Sequence, residues 1–275
     1  MNTTKKSQAL EAVLCVLLTL VIIGAGLVGY THRNKLWIFA EEVPTVGFPV
    51  EMAITGGAEV VEPGWHYAFA PSFIREKAYY TPEAIAWPAE YFYYHNQIFD
   101  KSITSDVTAG EFPMLLQWDK RWGYELYGTN FMGNNGCGPT ALTIVYAGLT
   151  GKTDWNPYSL AMYSIEHDLY VPNVGTKWIF MEEGGAYLGL NVEKIGEELE
   201  LARPALEAGK VLVCKVGPGD FTSGGHFIVV TKLLEDNQVE VRDPNSINKS
   251  AVTWDFEQII EQTDYVWAYS VPEQF

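Results

Sequence analysis

Four short apolar segments in the last third of the chain set the strongest limit on how these 275 residues can fold. They are Val211–Val216, His226–Thr231, Val239–Asp243 and Tyr265–Tyr269. Each is rich in β-branched or aromatic residues and is bounded by turn residues, as strands are. A short polar link around Glu235–Asn237 joins the second segment to the third, and so short a connection joins antiparallel neighbours. The sequence therefore predicts an antiparallel sheet.

A helix is predicted ahead of this sheet, over the apolar run Cys137–Leu149. Pro139 suits the first helical turn, where its missing N–H costs nothing, and Gly148 and Gly151 mark the end. Shorter helices are predicted at Trp178–Leu188 and Arg203–Glu207. Helices followed by strands in this order predict an α+β domain with the helices on one side of the sheet.

The N-terminal part of the chain has a different character, because residues 12–30 contain no charged side chain. A helix of this length spans roughly 28 Å, close to the hydrocarbon thickness of a bilayer. We therefore expect a short tail at 1–8 and a transmembrane helix, or uncleaved signal-anchor, at 9–31. This predicts a single-pass protein of the cell membrane whose remaining chain is extracytoplasmic. A cleaved signal peptide ending near Gly24–Gly26, and hence secretion, is the alternative.

Residues 32–110 show no sustained helical or strand period, since prolines interrupt them repeatedly. They are nevertheless too aromatic for a free linker, because disordered segments lack large apolar side chains. We interpret this region as an extracytoplasmic stalk, partly packed on the following domain, with a short helix within Ala84–Phe99. We assign it no chemistry. The domain that carries the motifs described below is then residues 111–275.

Charge and motif content disfavour several kinds of partner. The chain has 18 basic and 34 acidic residues, a formal net charge of −16, which disfavours binding to nucleic acid. It contains no glycine-rich phosphate loop and no Cys/His cluster at zinc-ligand spacing, so we expect no nucleotide, cofactor or metal. Beyond the apolar segment the cysteines are Cys137 and Cys214, which allow one disulfide. We favour a buried thiol for Cys214, since it lies in a predicted apolar strand.

Cys137 is the first candidate for chemistry. It lies at the start of the predicted helix, where free N–H groups and the helix dipole stabilise an anion such as a thiolate. The same setting lowers the pKa of a cysteine and makes it nucleophilic. Gly136 and Gly138 flank it, and we expect their missing side chains to let a substrate backbone come close. A small buried residue at a tight turn is the alternative interpretation.

Three polar residues could complete a thiol-based site with Cys137. His226 follows two glycines at the mouth of a predicted strand, where a general base would have an open approach. Asp243 ends the next strand and could accept the second N–H of that histidine. Gln117 could form an oxyanion hole together with the backbone N–H of Cys137. The alternatives are a core histidine, a turn-forming Asp-Pro pair and an unremarkable polar residue.

With these four residues in the order Gln, Cys, His, Asp, the chain resembles the papain-like cysteine peptidases, and most closely the C39-like family. The resemblance covers residues 111–275, and its motifs are LLQWDKRWG, NNGCGPTAL, GGHFIVVT and VRDPNS. It implies a papain-like fold, with the cysteine on a central helix and His and Asp on an antiparallel sheet. It also implies that Cys137 is the nucleophile, His226 the general acid/base, Asp243 the orienting residue and Gln117 the oxyanion-hole donor.

The resemblance leads us to expect a membrane-anchored cysteine peptidase that hydrolyses peptide or protein substrates without a cofactor. Well-known members remove leader peptides and are fused to ATP-driven transporters, whereas this chain has no nucleotide-binding motif, so it resembles a stand-alone, exported member. Two alternatives stay open. One is a non-catalytic papain-like module that binds cell-wall or peptide ligands. The other is an amidase or acyltransferase that acts on a non-peptide substrate.

Overall fold

The computed structural model describes residues 65–272. The predicted tail at 1–8, the predicted membrane helix at 9–31 and the first part of the predicted stalk lie outside the described residues. Of the helices that are described, none combines the length and the apolar character needed to cross a bilayer.

Helices and strands alternate along most of the described chain. The helices are α1 Trp65–Phe69, α2 Ser72–Tyr80, α3 Ala86–Ala89, α4 Tyr91–Tyr94, α5 Met132–Asn135, α6 Cys137–Thr150, α7 Pro157–Glu166, α8 Phe180–Tyr187, α9 Ala202–Glu207, α10 Ile247–Ser250 and α11 Phe256–Ile260. The strands are β1 Leu126–Tyr127, β2 Asn130–Phe131, β3 Tyr170–Val171, β4 Gly175–Thr176, β5 Asn191–Gly196, β6 Val211–Val216, β7 His226–Leu233, β8 Gln238–Arg242, β9 Thr253–Asp255 and β10 Thr263–Ser270.

The centre of the fold is a six-stranded sheet in the order β5-β10-β6-β7-β8-β9, in which every neighbouring pair is antiparallel. β6 pairs with β7 so that Val216 lies opposite His226, and β7 pairs with β8 so that Val230 lies opposite Val241. The turn between β7 and β8 contains Asp236 and Asn237 at positive φ, a backbone conformation that Asn and Asp tolerate well. The predicted α+β fold with an antiparallel sheet is confirmed.

Both faces of this sheet are covered. Val211 and Val213 of β6 belong to one core, which α6, α7 and α8 complete, whereas Leu212 and Cys214 belong to a second core with α9 and α11. The expectation that the helices lie on one side was therefore wrong. Successive residues of a strand point to opposite faces, so the unbroken apolar run of β6 already indicated a strand buried on both sides.

The cysteine-bearing helix α6 is the most deeply buried helix of the first core. Its residues from Gly138 to Ala147 are all buried, and it packs against α7, α8 and β7. It ends at Thr150, where Gly151 adopts φ +69°, the left-handed conformation that glycine allows at a helix end. The predicted helix at this place is confirmed.

The sequence analysis missed the strands β5 and β9 and the helix α7. The two strands were missed because one is exposed and the other is short. The edge strand β5 is largely exposed, so it lacks the apolar pattern that marks a strand, and β9 at the other edge has three residues. The helix α7 does carry a local signal, because Asn156 and Ser159 form a reciprocal capping box ahead of Pro157 at its first position.

The segment at residues 65–94 forms four short helices, α1 to α4, rather than one. Two of them, α3 and α4, fall within the predicted helix at Ala84–Phe99. A third apolar cluster joins this segment to the chain that follows it: its members are Ala70, Ile74, Trp87, Tyr91, Tyr124 and Phe131. The indole ring of Trp87 stacks on Tyr124, whose hydroxyl donates to the Trp87 carbonyl at 2.7 Å. The boundaries of the stalk remain predictions.

Candidate active site

Cys137 is the first residue of α6, and a single residue, Gly136, separates it from the short helix α5. Its side chain is partly exposed, unlike most of the helix behind it. As the first residue of a helix, Cys137 has a backbone N–H without an intrahelical acceptor. Within residues 65–272 this N–H donates to no carbonyl oxygen. The thiol therefore lies at the positive end of a fourteen-residue helix, beside a free donor.

The two glycines that flank Cys137 pack against the protein itself. A Cβ atom at Gly136 would lie 2.6 Å from the Met132 carbonyl oxygen, and one at Gly138 would lie 2.6 Å from Thr176 Oγ1. Both distances are shorter than a carbon atom tolerates. The expectation that these glycines leave space for a substrate was therefore wrong, because it is the close packing of α5 and β4 around the start of α6 that requires them.

His226 and Asp243 meet at one end of the β7–β8 pair. His226 opens β7, and Asp243 directly follows the last residue of β8. The His226 Nε2 atom lies 2.6 Å from Asp243 Oδ1, and both side chains are buried, with 6% of the histidine and none of the aspartate exposed. A carboxylate oxygen only accepts, so Nε2 carries the proton and donates it.

The His226 side chain lies close enough to Cys137 for each group to shift the pKa of the other. Burial alone would raise the pKa of Cys137, but the interaction with His226 and its charge lower it below its ordinary value. Burial alone would lower the pKa of His226, but the Asp243 carboxylate and the Cys137 thiol together raise it to about 9. These opposite shifts favour a thiolate beside an imidazolium near neutral pH.

Asp243 is held by its own loop as well as by His226. Its Oδ1 also accepts the backbone N–H of Asn245 at 2.7 Å, and its backbone N–H donates to Ser250 Oγ at 2.8 Å. The backbone N–H of Ser246 donates to the Asp243 carbonyl oxygen at 3.1 Å and closes a tight turn. Its second carboxylate oxygen, Oδ2, is buried without a hydrogen-bond donor among the described residues. The loop thus fixes the carboxylate in one orientation.

Gln117 is buried and connects the segment before Cys137 with the loop after Asp243. Its Nε2 donates to the carbonyl oxygens of Gly133 and Asn134, each at 2.9 Å, and its backbone N–H donates to Pro244 at 2.7 Å. Exchanging the amide N and O would set an oxygen against two carbonyl oxygens, so the orientation is well defined. Both amide protons are thus already donated to backbone carbonyls, which the oxyanion-hole prediction did not anticipate.

The sequence of the domain that carries these residues matches a known protein family. Residues 110–273 match the sequence profile of the Peptidase_C39 like family. The chain belongs to this family. At family level this indicates a cysteine-type peptidase, which hydrolyses peptide or protein substrates. No curated protein sequence matches the chain.

Two solved structures illustrate what this C39-like family member is similar to. One is described as a C39-like peptidase from Bacillus anthracis, at 16% identity, with 64% of this chain and 100% of that chain covered and a TM-score of 0.41. The other is the peptidase domain of Streptococcus ComA, a bi-functional ABC transporter involved in a quorum sensing pathway. It is 18% identical, with 50% of this chain and 93% of that chain covered and a TM-score of 0.39.

The two cysteines described in this C39-like protein are Cys137 and Cys214. Cys137 and Cys214 are both free thiols, so the alternative of a disulfide between them is wrong. Cys214 lies buried in β6, as favoured, and burial raises its pKa to about 12. In the part of the chain that the structure describes, no group of three or more His, Cys, Asp or Glu side chains is arranged to hold a metal ion.

The N-terminal segment of this C39-like protein reaches the site, although the sequence analysis assigned it no chemistry. The Glu83 carboxylate accepts the Ser246 hydroxyl and, at 3.3 Å, the backbone N–H of Asn248, so it holds the loop that follows Asp243. Thr81 Oγ1 accepts Asn245 Nδ2 of the same loop at 2.9 Å. The ammonium group of Lys77 lies close enough to interact electrostatically with Cys137 and Asp243. This region, to which the sequence analysis assigned no chemistry, therefore supports the loop that carries Asp243.

Proposed function

We propose that this protein is a cysteine peptidase whose catalytic residues are Cys137, His226 and Asp243. The observation that carries the proposal is the hydrogen bond from the His226 imidazole to the buried Asp243 carboxylate, with the Cys137 thiol beside that imidazole. This is the arrangement of nucleophile, base and orienting group that acyl transfer requires. Membership of the Peptidase_C39 like family supports an amide bond as the substrate.

The proposed reaction follows from the protonation states of this pair. The Cys137 thiolate attacks the scissile carbonyl carbon, and its sulfur forms the new bond while the carbonyl π electrons move to oxygen. When the tetrahedral intermediate collapses, the C–N bond breaks and His226 gives its Nδ1 proton to the leaving amine. Neutral His226 then takes a proton from water as the water oxygen attacks the thioester carbonyl carbon. The C–S bond breaks, which releases the acid and restores the Cys137 thiolate beside the His226 imidazolium. Asp243 keeps the imidazole oriented and stabilises its charge.

The oxyanion of the intermediate needs donors beside Cys137. The backbone N–H of Cys137 is one, since it has no acceptor among the described residues. For Gln117 to act as a second donor, one of its two bonds to the Gly133 and Asn134 carbonyls must give way when substrate binds. We expect Gln117→Ala to lower kcat about 10²-fold if this exchange occurs, within the range for loss of one oxyanion donor. A kcat within a few-fold of the wild type, together with a lowered melting temperature, would leave Gln117 a purely structural role.

The central test is the reactivity of the thiol in the full-length protein. We expect iodoacetamide to label Cys137 faster than free cysteine near pH 7, while Cys214 in the same molecule stays unlabelled. The full-length protein should also cleave members of a peptide library, and Cys137→Ala should abolish this. Cleavage products are identified by mass spectrometry. A Cys137 that reacts no faster than free cysteine, without any cleavage, would instead indicate a non-catalytic binding module.

We also propose that the apolar segment at residues 12–30 anchors the protein in the cell membrane, with the peptidase domain extracytoplasmic. The uncharged character and length of that segment support this. The test is alkaline extraction of membranes from cells that produce the full chain, combined with exposure of intact cells to an added protease. Release of a shortened chain into the medium would show that the segment is a cleaved signal peptide instead.

A further inference from the structure

A cavity of about 590 Å³ lies next to the proposed catalytic residues. One wall is formed by α2, and the opposite wall by the loop at residues 218–223, which leads to His226. Asn134, three residues before Cys137, and Asn245, two residues after Asp243, line the cavity between these walls. The cavity therefore borders both the segment that leads to Cys137 and the loop that follows Asp243.

Lys77 of α2 lines this cavity and forms no ion pair with any of the described residues. Its side chain is only partly exposed, and within residues 65–272 its ammonium group makes neither a hydrogen bond nor an ion pair. Burial lowers the pKa of Lys77 to about 8, although the negative charges of Cys137 and Asp243 oppose this effect. A partly buried cation without a partner is unfavourable, and an anion in the cavity would compensate for it.

A second lysine lines the same cavity from the other side of the site. Lys249 of α10 donates to the Phe221 carbonyl oxygen at 3.2 Å and lies over the Phe221 ring. No carboxylate forms an ion pair with it among the described residues. Its charge contributes to lowering the pKa of Lys77, so the two ammonium groups are near each other. Two neighbouring cations without carboxylate partners raise the affinity of the cavity for an anion.

The acidic residues that line the cavity do not neutralise these lysines. Asp220 Oδ2 accepts the side-chain amides of Gln258 and Gln262, at 2.9 and 2.6 Å, and its side chain is exposed. Glu76 is exposed and forms no ion pair within the described chain. In a protein with 18 basic and 34 acidic residues, two unpaired lysines in one cavity beside the thiol are a local exception.

We propose that this cavity is a substrate subsite for a carboxylate of the peptide, bound by Lys77 with Lys249 beside it. The inference rests on the proposed peptidase function and adds a substrate class to it: peptides that carry an acidic side chain, or the C-terminal carboxylate, near the scissile bond. Either source presents the same group, and a charge-assisted hydrogen bond from an ammonium holds it.

The test compares matched substrates with the full-length protein. Peptides that the wild type cleaves are first found in a peptide library. Each is then synthesised with Glu or Gln at every position near the cut, and with a free or an amidated C-terminus. We expect kcat/KM to favour the carboxylate form about tenfold at one position, as a charge-assisted hydrogen bond provides. Lys77→Met should bring that ratio close to one, and Lys77→Arg should restore most of it.

Lys152→Met is the matched control, because it also removes one positive charge. Lys152 is exposed and follows the C-terminal end of α6, about 20 Å along the helix axis from Cys137. This variant should keep the wild-type ratio of carboxylate to amide substrates. The substrate position at which a carboxylate is preferred then distinguishes an internal acidic side chain from a C-terminal carboxylate.

Three results would overturn the proposal, and they differ from a failure of the peptidase function. If the wild type cleaves peptides without preferring carboxylates, the subsite does not exist. If Lys77→Met slows both members of each pair equally, Lys77 acts on the Cys137 thiolate and not on the substrate. If Lys152→Met removes the preference as well, it arises from the overall charge. No cleavage of any peptide, with an unreactive Cys137, would instead contradict the proposed function itself.

Discussion

Cys137 and Cys214 lie in the same domain, and burial acts to raise the pKa of both, although Cys137 is partly exposed and Cys214 is fully buried; yet the pKa values of the two thiols shift in opposite directions. Burial raises the pKa of Cys214 to about 12, and a hydrogen bond with Thr263 does little to oppose it. Burial also acts to raise the pKa of Cys137, but the interaction with His226 and the positive charges around the thiol lower the pKa overall. Burial alone therefore does not determine whether a cysteine is reactive. The charged groups that the fold places near the sulfur determine it.

The places of the two cysteines in the fold explain this contrast. Cys214 lies in the middle of β6, between Ile228 of β7 and Val266 of β10, where its neighbours are apolar. Cys137 lies at the first turn of α6, where the helix dipole, His226 and Lys77 all favour a negative charge. Each prediction below alters one of these contributions, beginning with the largest.

Replacing His226 with alanine should make Cys137 resemble Cys214. The imidazolium beside the thiol is lost while burial remains, so the pKa of Cys137 should rise above its ordinary value. We expect kcat/KM for peptide cleavage to fall about 10³-fold or more, the range for loss of a general acid/base. Alkylation of both cysteines in this one variant, followed by mass spectrometry as a function of pH, measures the change. A Cys137 that is still labelled rapidly at pH 7 would show that its reactivity comes from the helix or from Lys77.

Replacing Asp243 with asparagine should narrow the pH range over which Cys137, unlike Cys214, is a reactive thiolate. Burial lowers the pKa of His226, and Asp243 is the main group that raises it to about 9, so its loss should lower that pKa. The imidazolium, and with it the thiolate pair, would then be lost at a lower pH. We expect kcat/KM at pH 7 to fall about 10²-fold. The alkaline limb of its pH profile, near pH 9 in the wild type, should move to lower pH, and an unmoved limb would contradict this.

Replacing Glu83 with alanine should make Cys137 a less effective nucleophile, because the loop that carries Asp243 would be held less firmly. The Ser246 hydroxyl and the Asn248 N–H would lose their acceptor. We expect the free energy of unfolding to fall by about 1–2 kcal/mol and kcat/KM to fall several-fold. Urea unfolding and peptide cleavage measure the two effects. Glu166→Ala is the control, because Glu166 is exposed at the end of α7 and forms no ion pair within residues 65–272. Equal effects from both variants would argue against a specific role of Glu83.

Replacing Cys214 with alanine should leave the chemistry unchanged and affect packing alone. Cys214 acts as a small apolar side chain between two strands, so its truncation leaves a small cavity. We expect the free energy of unfolding to fall by about 1 kcal/mol and kcat/KM to stay within about twofold of the wild type. Urea unfolding and peptide cleavage test this. A large loss of activity at unchanged stability would mean that Cys214 takes part in the chemistry.

Signals within single segments were sufficient for much of the fold and for the candidate residues. The run from Cys137 to Leu149 predicted α6, since its apolar content and end residues are all local features. The apolar segments near the C-terminus predicted β6 to β8 and β10 for the same reason. The short link after β7 made it an antiparallel neighbour of β8, which carries His226 and Asp243 to the same end of the sheet.

Features that depend on contacts between distant segments could not be predicted in this way. The bond between Ser246 and Glu83 joins residues 163 positions apart, and neither residue is unusual within its own segment. The second core under β6, and the two carbonyl oxygens that accept the Gln117 amide, likewise arise from chain that lies far away in sequence. Long-range packing of this kind leaves no period or motif to detect.

The sequence by itself therefore determined the antiparallel sheet, the helix that begins at Cys137 and the set of polar residues able to form a thiol site, because local pattern and spacing encode all of these. The tertiary structure alone decided which charges surround each thiol, so that the pKa of Cys137 is lowered and that of Cys214 is raised. It also decided that Lys77 and Glu83 border the site. The physical reason is that pKa values and loop positions depend on charges and hydrogen bonds close in space, whatever their separation along the chain.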